Sequence, residues 1–537
     1  VDAIMRKNNW PLNSPMRIRG AVFAALESAK GDGGHLYLDA EQLHKEAMSL
    51  LNSMIPVPQM RVKSDDLDAV IDDMLLQGKI INSNGNYYLV KTFAQEDETA
   101  RSIARLLCRP VERVDVQDLL TRVRRQLGVE LSLRQTEAVH MVFRSDLSII
   151  TGSPGTGKTT VLKAVIEVFK LLKPSEKILL AAPTGRASRR MAESTGVNNA
   201  STLHSLLGLF GEDGGFREGG EDMLDAGLII VDESSMMDMW LARKFFSRIG
   251  PDTKVLLVGD ADQLQSVGAG DVFRELINCG LIPVTVLNEI FRQKKDSLIA
   301  YNAQKINNND TSFFYGNDFT VCKCANQEEA AEHIRNIYLA QVKQYGVDRV
   351  QILSPFRSTG ATSADQLNEA IRELVNPQTE EADLKVGSLY FRVGDKIMQN
   401  KNSTKASNGD IGFIRSFRHD ERDGMRIAIQ FSPTRVVEYS MEEMGHVELA
   451  YATTVHKAQG SEFDVVIFPL LRSHARMLTR SLVYTAITRA KAKVILVGQI
   501  GMLYMAVHKD DTGKRNTQLG RRITLYVNTF KVQKRSA

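Results

Sequence analysis

The chain has 537 residues, which is too many for one hydrophobic core and predicts roughly three to four domains. Hydrophobic residues make up 43% and charged residues 25% of it, with 14 Pro and 38 Gly. This composition is typical of globular proteins and excludes a collagen-like or disordered chain. The 68 basic and 64 acidic residues give a net charge of +4, which does not by itself indicate a nucleic-acid partner.

Membrane and secretory segments are not predicted, because the sequence has no apolar run of about 18 residues and no charged-then-apolar leader. Four scattered cysteines are too few for a disulfide framework and fit a reducing compartment, so we expect a cytoplasmic protein. Cys322 and Cys324 lack a second pair at zinc-site spacing, which makes a metal there the weaker alternative. The chain starts at Val1, and its first residues look like the end of a helical element, so we expect that an upstream part is missing.

The N-terminal part is predicted to contain three helices followed by a hairpin. The segments with helical spacing of apolar residues are 18–30, 40–52 and 64–77. Asn84-Gly85 separates two short apolar runs within residues 79–90, which is typical of a β-hairpin. The order indicates a winged-helix-like module over residues 18–95. Such modules bind DNA in some proteins and serve as packing or docking units in others, so its role stays open.

After a charged helical linker over residues 96–130, short apolar runs alternate with helical segments, as in a parallel sheet covered by helices. The predicted strands of a first set are 148–151, 178–182, 228–231 and 255–259. Those of a second set are 351–354, 465–469 and 494–498. Residues 391–448 interrupt the second set with short β segments and turns such as Asn408-Gly409-Asp410, which predicts an inserted small β-barrel.

The C-terminal tail is basic. After Asp511 it contains Lys514, Arg515, Arg521, Arg522, Lys531, Lys534 and Arg535 and no acidic residue. A solvated surface and a surface that contacts phosphates are both compatible with this pattern.

A glycine-rich segment predicts a phosphate-binding loop. Its sequence is Gly152-Ser153-Pro154-Gly155-Thr156-Gly157-Lys158-Thr159, between the strand at 148–151 and a helix from Thr160. The glycines let successive N–H groups and the helix N-terminus face an anion, and Lys158 adds a charge for the β and γ phosphates. Thr159 would then ligate magnesium. We therefore expect ATP and Mg²⁺ at this loop.

Two further strand ends supply acids and an amide. Asp232 and Glu233 follow the strand at 228–231, and ligands bind at the carboxyl edge of parallel sheets. Asp232 can hold the magnesium, and Glu233 can polarise the attacking water as general base. Gln263 can sense the γ-phosphate or position the water, since an amide both donates and accepts. Acids at a strand end also cap helices, but the three strand ends together predict an ATPase site.

With these residues, the chain resembles the superfamily-one helicases, and specifically the RecD-like 5′→3′ DNA helicases in the long form with an N-terminal extension. The resemblance extends over essentially the whole chain, including Gly34-His35-Leu36-Tyr37-Leu38, and the motifs occur in the order of the family. Leu131-Ser132-Leu133-Arg134-Gln135 is similar to the adenine-reading element, which implies that Gln135 binds the base. Leu287-Asn288-Glu289-Ile290-Phe291-Arg292-Gln293 is similar to the segment whose Arg292 reaches the γ-phosphate from the second motor domain.

Two later segments complete the nucleotide motifs of this resemblance. Residues 452–462 are similar to the fifth motif, which adds Glu462 to the nucleotide contacts, and residues 483–490 to the sixth, in which Arg489 would be a second arginine finger. The implied nucleotide contacts are Gln135, Gly152, Ser153, Pro154, Gly155, Thr156, Gly157, Lys158, Thr159, Thr160 and Glu462. The implied catalytic residues are Lys158, Asp232, Glu233, Gln263, Arg292 and Arg489. A finger is worth about three to five decades of rate in other phosphoryl-transfer enzymes, and a surface salt bridge is the alternative role for each arginine.

Other motifs resemble the DNA-facing segments of the family. The implied DNA contacts are Pro183, Thr184, His204, Ser354, Pro355, Phe356, Asn408, Thr454 and His456. Five of them, Thr184, His204, Ser354, Thr454 and His456, are polar groups that suit phosphates and sugars and give a sequence-independent grip. Helix capping and turn bonding are the alternative role for these five.

The resemblance implies an α/β fold with two tandem RecA-like P-loop motor domains, an N-terminal winged-helix-like domain and an inserted SH3-like β-barrel. The implied limits are 1–17 for the end of a helix-hairpin-helix region, 18–95 for the winged-helix-like domain, 96–130 for the linker, 131–285 for the first motor domain, 286–390 and 449–537 for the second, and 391–448 for the insert. The loop 208–227, with Phe210 and Phe216, lies where the family has a pin, although it could also be a disordered connection. Gln265 stands where the family commonly has Pro. This difference affects the expected stiffness of the loop but not the expected role of Gln263.

The implied function is an ATP-dependent helicase, a monomer that moves 5′→3′ on single-stranded DNA and unwinds 5′-tailed duplex DNA in repair or recombination. The direction rests on the resemblance alone, since residue chemistry does not reveal it. A translocase with single-strand-stimulated ATPase activity and little unwinding is the alternative. A DNA-binding scaffold with a dead ATP site is less favoured, because Lys158 and both acids are present.

Overall fold

The computed structural model describes residues 11–53, 55, 61–197, 199–209, 222–289, 297–379, 383–420, 424–511 and 515–536. Among these residues, no helix combines the length and the hydropathy needed to cross a membrane. The four cysteines are free thiols, and the described residues contain no group of three or more His, Cys, Asp or Glu side chains that could hold a metal ion.

The N-terminal part forms the predicted three helices and hairpin. Its elements are α1 (Pro15–Gly33), β1 (Tyr37–Asp39), α2 (Ala40–Asn52), α3 (Ser64–Leu76), β2 (Ile80–Ser83) and β3 (Asn86–Leu89). Asp39 and Gln42 form a reciprocal capping box that starts α2. The strands pair in the order β1-β3-β2, and apolar residues of the three helices form one core with them. The assignment to the winged-helix class stays a prediction.

The predicted linker is two helices, α4 (Val90–Leu107) and α5 (Gln117–Leu127). Because α4 begins at Val90, the domain limit expected at residue 95 falls inside a helix. Ala100, Ile103 and Ala104 on its buried face belong to the core of the first α/β lobe. This helix is therefore a structural part of that lobe.

The first lobe is a parallel sheet covered by helices. Its elements are α6 (Leu133–Phe143), β4 (Leu147–Gly152), α7 (Lys158–Leu172), β5 (Ile178–Ala182), α8 (Gly185–Thr195), β6 (Ala200–Thr202), α9 (Leu203–Leu206), β7 (Leu228–Val231), α10 (Met239–Phe246), β8 (Lys254–Gly259), α11 (Val272–Asn278) and β9 (Val284–Leu287). The strand order is β6-β5-β7-β8-β4-β9. β9 pairs with β4 as far as Leu287, so the limit expected at residue 285 is too early. Most of the predicted pin, including Phe210 and Phe216, lies outside the described residues.

The second lobe begins with α12 (Leu298–Asn307), β10 (Phe319–Lys323), α13 (Gln327–Tyr345), β11 (Val350–Ser354) and α14 (Ala364–Val375). It is interrupted by β12 (Leu384–Val386), β13 (Leu389–Phe391), β14 (Lys396–Gln399), β15 (Ile411–Asp420), β16 (Gly424–Ser432), β17 (Arg435–Ser440) and β18 (Val447–Leu449). The last five strands form an antiparallel sheet in the order β17-β16-β15-β14-β18. This sheet is the insert expected over residues 391–448.

The second lobe resumes with β19 (Ala452–Thr454), β20 (Phe463–Leu470), α15 (Arg480–Thr488), β21 (Ala490–Gly498) and α16 (Ile500–His508). Its parallel sheet has the order β10-β21-β20-β11-β19. The two sheets give the α/β architecture that was expected.

The C-terminal helix α17 (Leu519–Ser536) corrects the prediction that residues 449–537 all belong to the second lobe. Its apolar residues Leu519, Ile523 and Val527 lie in the core of the first lobe, together with residues of α4. Arg522 donates through Nε to Glu96 Oε2 at 3.0 Å. The basic tail therefore forms an ion pair with α4. Neither the expected solvated surface nor the expected phosphate-contacting surface included this pair.

Candidate active site

The predicted phosphate-binding loop lies between β4 and α7. Gly155 and Gly157 have φ angles of 86° and 81°, in the left-handed region that favours glycine. Gly157 is the N-cap of α7, so the helix begins at Lys158 and not at Thr160 as predicted. Unpaired N–H groups and the helix dipole favour an anion at this end of α7. The Lys158 ammonium donates to two backbone carbonyls of the loop, which holds its charge there.

Asp232 and Glu233 lie at the carboxyl end of β7, as predicted. Asp232 Oδ1 accepts a hydrogen bond from the Glu233 N–H at 2.8 Å. Glu233 has a φ of 51°, a conformation that a residue with a side chain rarely adopts and that is common at functional sites. Burial, and after it the Glu233 carboxylate, raises the pKa of Asp232 to about 6. A cation at this position would favour the ionised form of both acids.

Gln263 is joined to the second lobe through a carboxylate that the sequence did not single out. Gln263 is 4% exposed, and its Nε2 donates to Asp260 Oδ2 at 3.1 Å. The same oxygen accepts from the hydroxyl of Tyr484, in α15 of the second lobe, at 2.8 Å. Burial, and after it the charge of Asp260, raises the pKa of Tyr484 well above its ordinary value, so the hydroxyl keeps its proton and donates. The sequence signal for this pair is that Asp260 directly follows the predicted strand at 255–259 and that Tyr484 lies in the segment 483–490.

Arg489 brings a positive charge from the second lobe to the acids of the first. It is 2% exposed, and its Nη1 donates to the Ser461 carbonyl at 3.2 Å and lies 4.0 Å from Glu233 Oε1. Arg292, the other predicted finger, lies outside the described residues.

A cleft of about 1330 Å³ contains most of the predicted nucleotide site. Its lining includes Pro154, Gly155, Gly157, Lys158, Thr159, Thr160, Asp232, Glu233, Gln263, Glu462 and Arg489. Three other residues of the loop, Gly152, Ser153 and Thr156, line a smaller neighbouring cavity. The structure thus brings residues from the two lobes to one cleft.

Glu462 is held by basic residues from both lobes. Arg190 of the first lobe lies 2.6 Å from its Oε1, and Lys491 of the second lies 3.3 Å from its Oε2. The Arg186 guanidinium donates to its backbone carbonyl at 3.2 Å. Arg190 and Lys491 line the cleft but were not predicted, because their spacing follows no nucleotide motif.

Gln135, the predicted adenine contact, is buried beside the phosphate loop. Its Oε1 accepts from the Ser132 N–H at 3.0 Å in a capping box, and its Nε2 donates to the Thr156 carbonyl at 3.2 Å. Both ends of the amide therefore bind backbone groups, and the role in binding the base stays a prediction.

Thr184 and Asn408 are brought close together. Thr184 caps α8 by accepting from the Ala187 N–H at 3.3 Å, and Pro183 precedes it. The Asn408 turn lies against the same helix end, since a Cβ placed on Gly185 would be 2.2 Å from the Ser407 side chain. Asn408 is exposed.

His204 lies in the short helix α9, Thr454 ends strand β19, and His456 begins a single 3-10 turn after it. The His204 ring stacks on Trp240 with 6.1 Å between centroids, and burial lowers its pKa. Thr454 accepts from the Lys457 N–H at 3.4 Å. Burial, and after it the charge of Arg515, lowers the pKa of His456. Both imidazoles are therefore neutral at physiological pH.

The predicted DNA contacts after β11 are less accessible. Ser354 is fully buried, donates to the Thr362 carbonyl at 2.8 Å and accepts from the Phe356 N–H at 3.2 Å. Pro355 is buried, and the Phe356 ring meets the His474 ring edge-on at 5.5 Å. This placement favours the turn-bonding role for Ser354 over a contact with DNA.

Comparison with known protein families gives three matches. Residues 130–335 match a model described as an AAA domain, and residues 449–497 match the UvrD-like helicase C-terminal domain. Residues 367–431 match the ATP-dependent RecD-like DNA helicase SH3 domain.

Among curated proteins, the ATP-dependent RecD2 DNA helicase of Deinococcus radiodurans is 30% identical over 535 residues, which cover 97% of this chain and 71% of that protein. The RecBCD enzyme subunit RecD of Mycolicibacterium smegmatis is 29% identical over 418 residues, which cover 70% and 72% of the two chains. Among solved structures, the crystal structure of Pif1 helicase from Candida albicans matches with a TM-score of 0.43 and 17% identity, over 75% of this chain and 100% of that chain.

Proposed function

The chain belongs to the ATP-dependent RecD-like DNA helicases, and on that basis we propose that it hydrolyses ATP between its two lobes to move 5′→3′ along single-stranded DNA and unwind 5′-tailed duplexes. The observation that supports this most is the approach of Arg489 to within 4.0 Å of Glu233. An arginine from one lobe beside the acids of the other makes the charge balance of the cleft depend on how closely the lobes approach.

The proposed chemistry uses each wall of the cleft differently. Lys158 leaves the loop carbonyls and binds the β and γ phosphates. Glu233 orients and polarises the attacking water, and Gln263 holds it in line. Arg489, with Arg292, neutralises charge that develops on the transferred phosphoryl group.

The donors of the site fit Mg²⁺. Thr159 and Asp232 line the same cleft and offer a hydroxyl and a carboxylate, the hard oxygen ligands that this ion takes beside water and phosphates. When bound, the ion neutralises charge on the β and γ phosphates.

Movement requires that both lobes hold the same strand. Thr184 of the first lobe, Asn408 of the insert, and Thr454 and His456 of the second lobe are polar groups suited to phosphates and sugars. The lobes approach when ATP is bound and separate after hydrolysis. The distance between the DNA-binding residues of the first lobe and those of the second therefore changes in each cycle. We also propose that the protein acts in DNA repair or recombination, that it is a monomer and that it is cytoplasmic.

The test compares ATP hydrolysis with strand separation. We expect hydrolysis to be stimulated by an oligothymidylate and unwinding to occur on a duplex with a 5′ tail and not on one with a 3′ tail. Stimulated hydrolysis without unwinding supports the translocase alternative. Hydrolysis that DNA does not affect contradicts the proposal, and unwinding of the 3′-tailed duplex alone contradicts the direction.

A further inference from the structure

The loop that carries Gln263, residues 260–270 and hereafter the Gln263 loop, is bound to the second lobe at its centre. The Leu264 N–H donates to Thr485 Oγ1 at 2.9 Å, and the Leu264 carbonyl accepts from Gln459 Nε2 at 3.0 Å. Thr485 and Gln459 belong to the segments similar to the sixth and fifth motifs. The loop therefore experiences any displacement of the second lobe.

The far half of the Gln263 loop is bound by Arg515. The Arg515 Nη1 donates to the carbonyls of Gly268 at 2.8 Å and Gly270 at 2.7 Å, and Nη2 donates to the Ser266 carbonyl at 2.7 Å. Three carbonyls of one short loop thus converge on one guanidinium. A planar group with five N–H donors satisfies such a set, whereas a lysine ammonium, with three donors on one atom, does not reproduce it.

The segment that carries Arg515 is itself fixed to the N-terminal part. The Asn516 carbonyl accepts from the Leu36 N–H at 2.9 Å, and Asn516 Nδ2 donates to the Tyr37 carbonyl at 3.0 Å. Gly34 lets the chains approach, since a Cβ there would lie 2.4 Å from Arg515 Nε. The backbone next to Arg515 is therefore attached to the N-terminal part and not to the second lobe.

Arg515 also lies near His456, a predicted DNA contact. It lines, together with His456 and Gln265, a cleft of about 220 Å³. The same side chain therefore borders the loop of the γ-phosphate residue and a side chain expected to hold DNA.

We propose that Arg515 is a positioning residue that holds the far half of the Gln263 loop still, so that displacement of Leu264 by the second lobe turns Gln263 toward the phosphate when DNA is bound. Without this anchor the whole loop follows the second lobe, and strand binding no longer accelerates hydrolysis. The inference rests on the proposed function, since it concerns the stimulation of ATP hydrolysis by DNA.

The experiment measures kcat and KM for ATP with and without saturating oligothymidylate, together with oligonucleotide affinity and the melting temperature. Arg515→Met keeps a flexible, unbranched side chain of about the length of the arginine stem and removes the guanidinium with all its donors. We expect the DNA-stimulated kcat to fall about tenfold or more, the rate equivalent of one charge-assisted hydrogen bond. The rate without DNA and the KM for ATP should stay within about twofold, since the cleft residues are unchanged.

Two further variants make the result decisive. Arg521→Met changes an exposed arginine on the same segment and should behave as wild type. Arg515→Lys should retain part of the stimulation, and it decides the matter if Arg515→Met does not fold. The inference is overturned if kcat falls by the same factor with and without DNA, or if DNA stimulates both Arg515 variants as fully as wild type. If the wild-type protein shows no stimulation, the proposed function fails instead.

Discussion

Arg489 is almost entirely buried, although arginine normally keeps its charge in water. Its described partners are the Ser461 carbonyl at 3.2 Å and, at 4.0 Å, the Glu233 carboxylate. A buried guanidinium with so little compensation is destabilising by itself, and it gains partners if a phosphate enters the cleft beside it. The side chain is thus suited to an anion that comes and goes.

Replacing Arg489 by Ala should lower kcat for ATP hydrolysis by about 10³-fold or more, since a finger arginine acts mainly in the transition state. Nucleotide affinity should change by less than about tenfold. Steady-state kinetics and binding of a fluorescent nucleotide measure the two effects. Arg476→Ala, at an exposed position of the same lobe, is the control. An unchanged kcat would remove the finger role.

His474 gives a pH dependence of stability. It is 1% exposed, its Nε2 lies 3.0 Å from Thr362 Oγ1, and burial lowers its pKa from 6.5 to about 4. Between these values the unfolded chain binds a proton that the folded chain does not, so the free energy of unfolding falls as pH drops below 6.5. From about pH 7.5 to about pH 5 the loss is about 2 kcal/mol.

In His474→Gln, which does not titrate, this loss should be absent. Hydrogen exchange of peptides from β20 measures the local free energy of opening at both pH values. His419→Gln, at an exposed position, should keep the wild-type dependence. An identical pH dependence in wild type and His474→Gln would show that burial of this imidazole is not the cause.

The placement of site residues was predictable where they belong to one contiguous pattern. Lys158 and Asp232 each follow a strand within a few residues of a turn, and local sequence is enough to place both in one cleft. The bond from Tyr484 to Asp260 and those from Arg515 to the Gln263 loop join residues more than 200 positions apart. Nothing in either local pattern indicates its partner.

At the scale of elements, a buried carboxylate of the insert, Asp410, binds to α8. Asp410 is fully buried, accepts from Arg189 through both oxygens and also accepts from the Ser407 N–H at 3.0 Å. The Arg189 side chain is 41% exposed, so the pair is screened more than a fully buried one.

We expect Arg189→Met and Asp410→Asn each to lower the free energy of unfolding of the insert by about 2 kcal/mol, below the loss for a fully buried pair. The double variant should lose clearly less than the sum, because both changes remove the same contact. Proteolysis rates within residues 391–448 and melting curves measure this. Strict additivity would show that the pair does not join insert and helix.

Element limits were predictable when the apolar run itself has sharp ends. β5 and β7 match the predicted strands residue for residue, since each is a buried apolar run bounded by polar residues or turns. The limits at 95 and 285 were not predictable, because α4 and β9 continue across the points where composition changes. The helix α17 shows a helical pattern, but a pattern of apolar residues does not state which lobe it covers.

At the scale of the whole molecule, the residues of the nucleotide cleft and the predicted DNA contacts occupy different surfaces. None of Thr184, Asn408, Thr454 and His456 is among the described residues that line the nucleotide cleft. A change confined to the phosphate loop should therefore leave the hold on DNA intact.

Lys158→Ala should lower ATP hydrolysis by at least about 10²-fold, the effect of removing one electrostatic stabiliser. The dissociation constant for an oligothymidylate should stay within about threefold, since binding to phosphates depends on other cations. Lys163→Ala, one and a half turns along the same helix, is the matched control. Wild-type turnover in Lys158→Ala would overturn the phosphate assignment, and loss of oligonucleotide binding would show that the two surfaces are one.

The position of α17 constrains how the second lobe can travel. The chain leaves the first lobe after Glu289 and is in the second by Ser297, and it returns between Asp511, which accepts from Ser481 in the second lobe, and Arg515, which binds the first. Two covalent crossings therefore join the lobes, and they restrict the relative motion of the lobes more than one linker would. Each round of hydrolysis should then repeat a similar swing, so the step length depends on the angle of that swing and on the distance from its axis to the DNA strand.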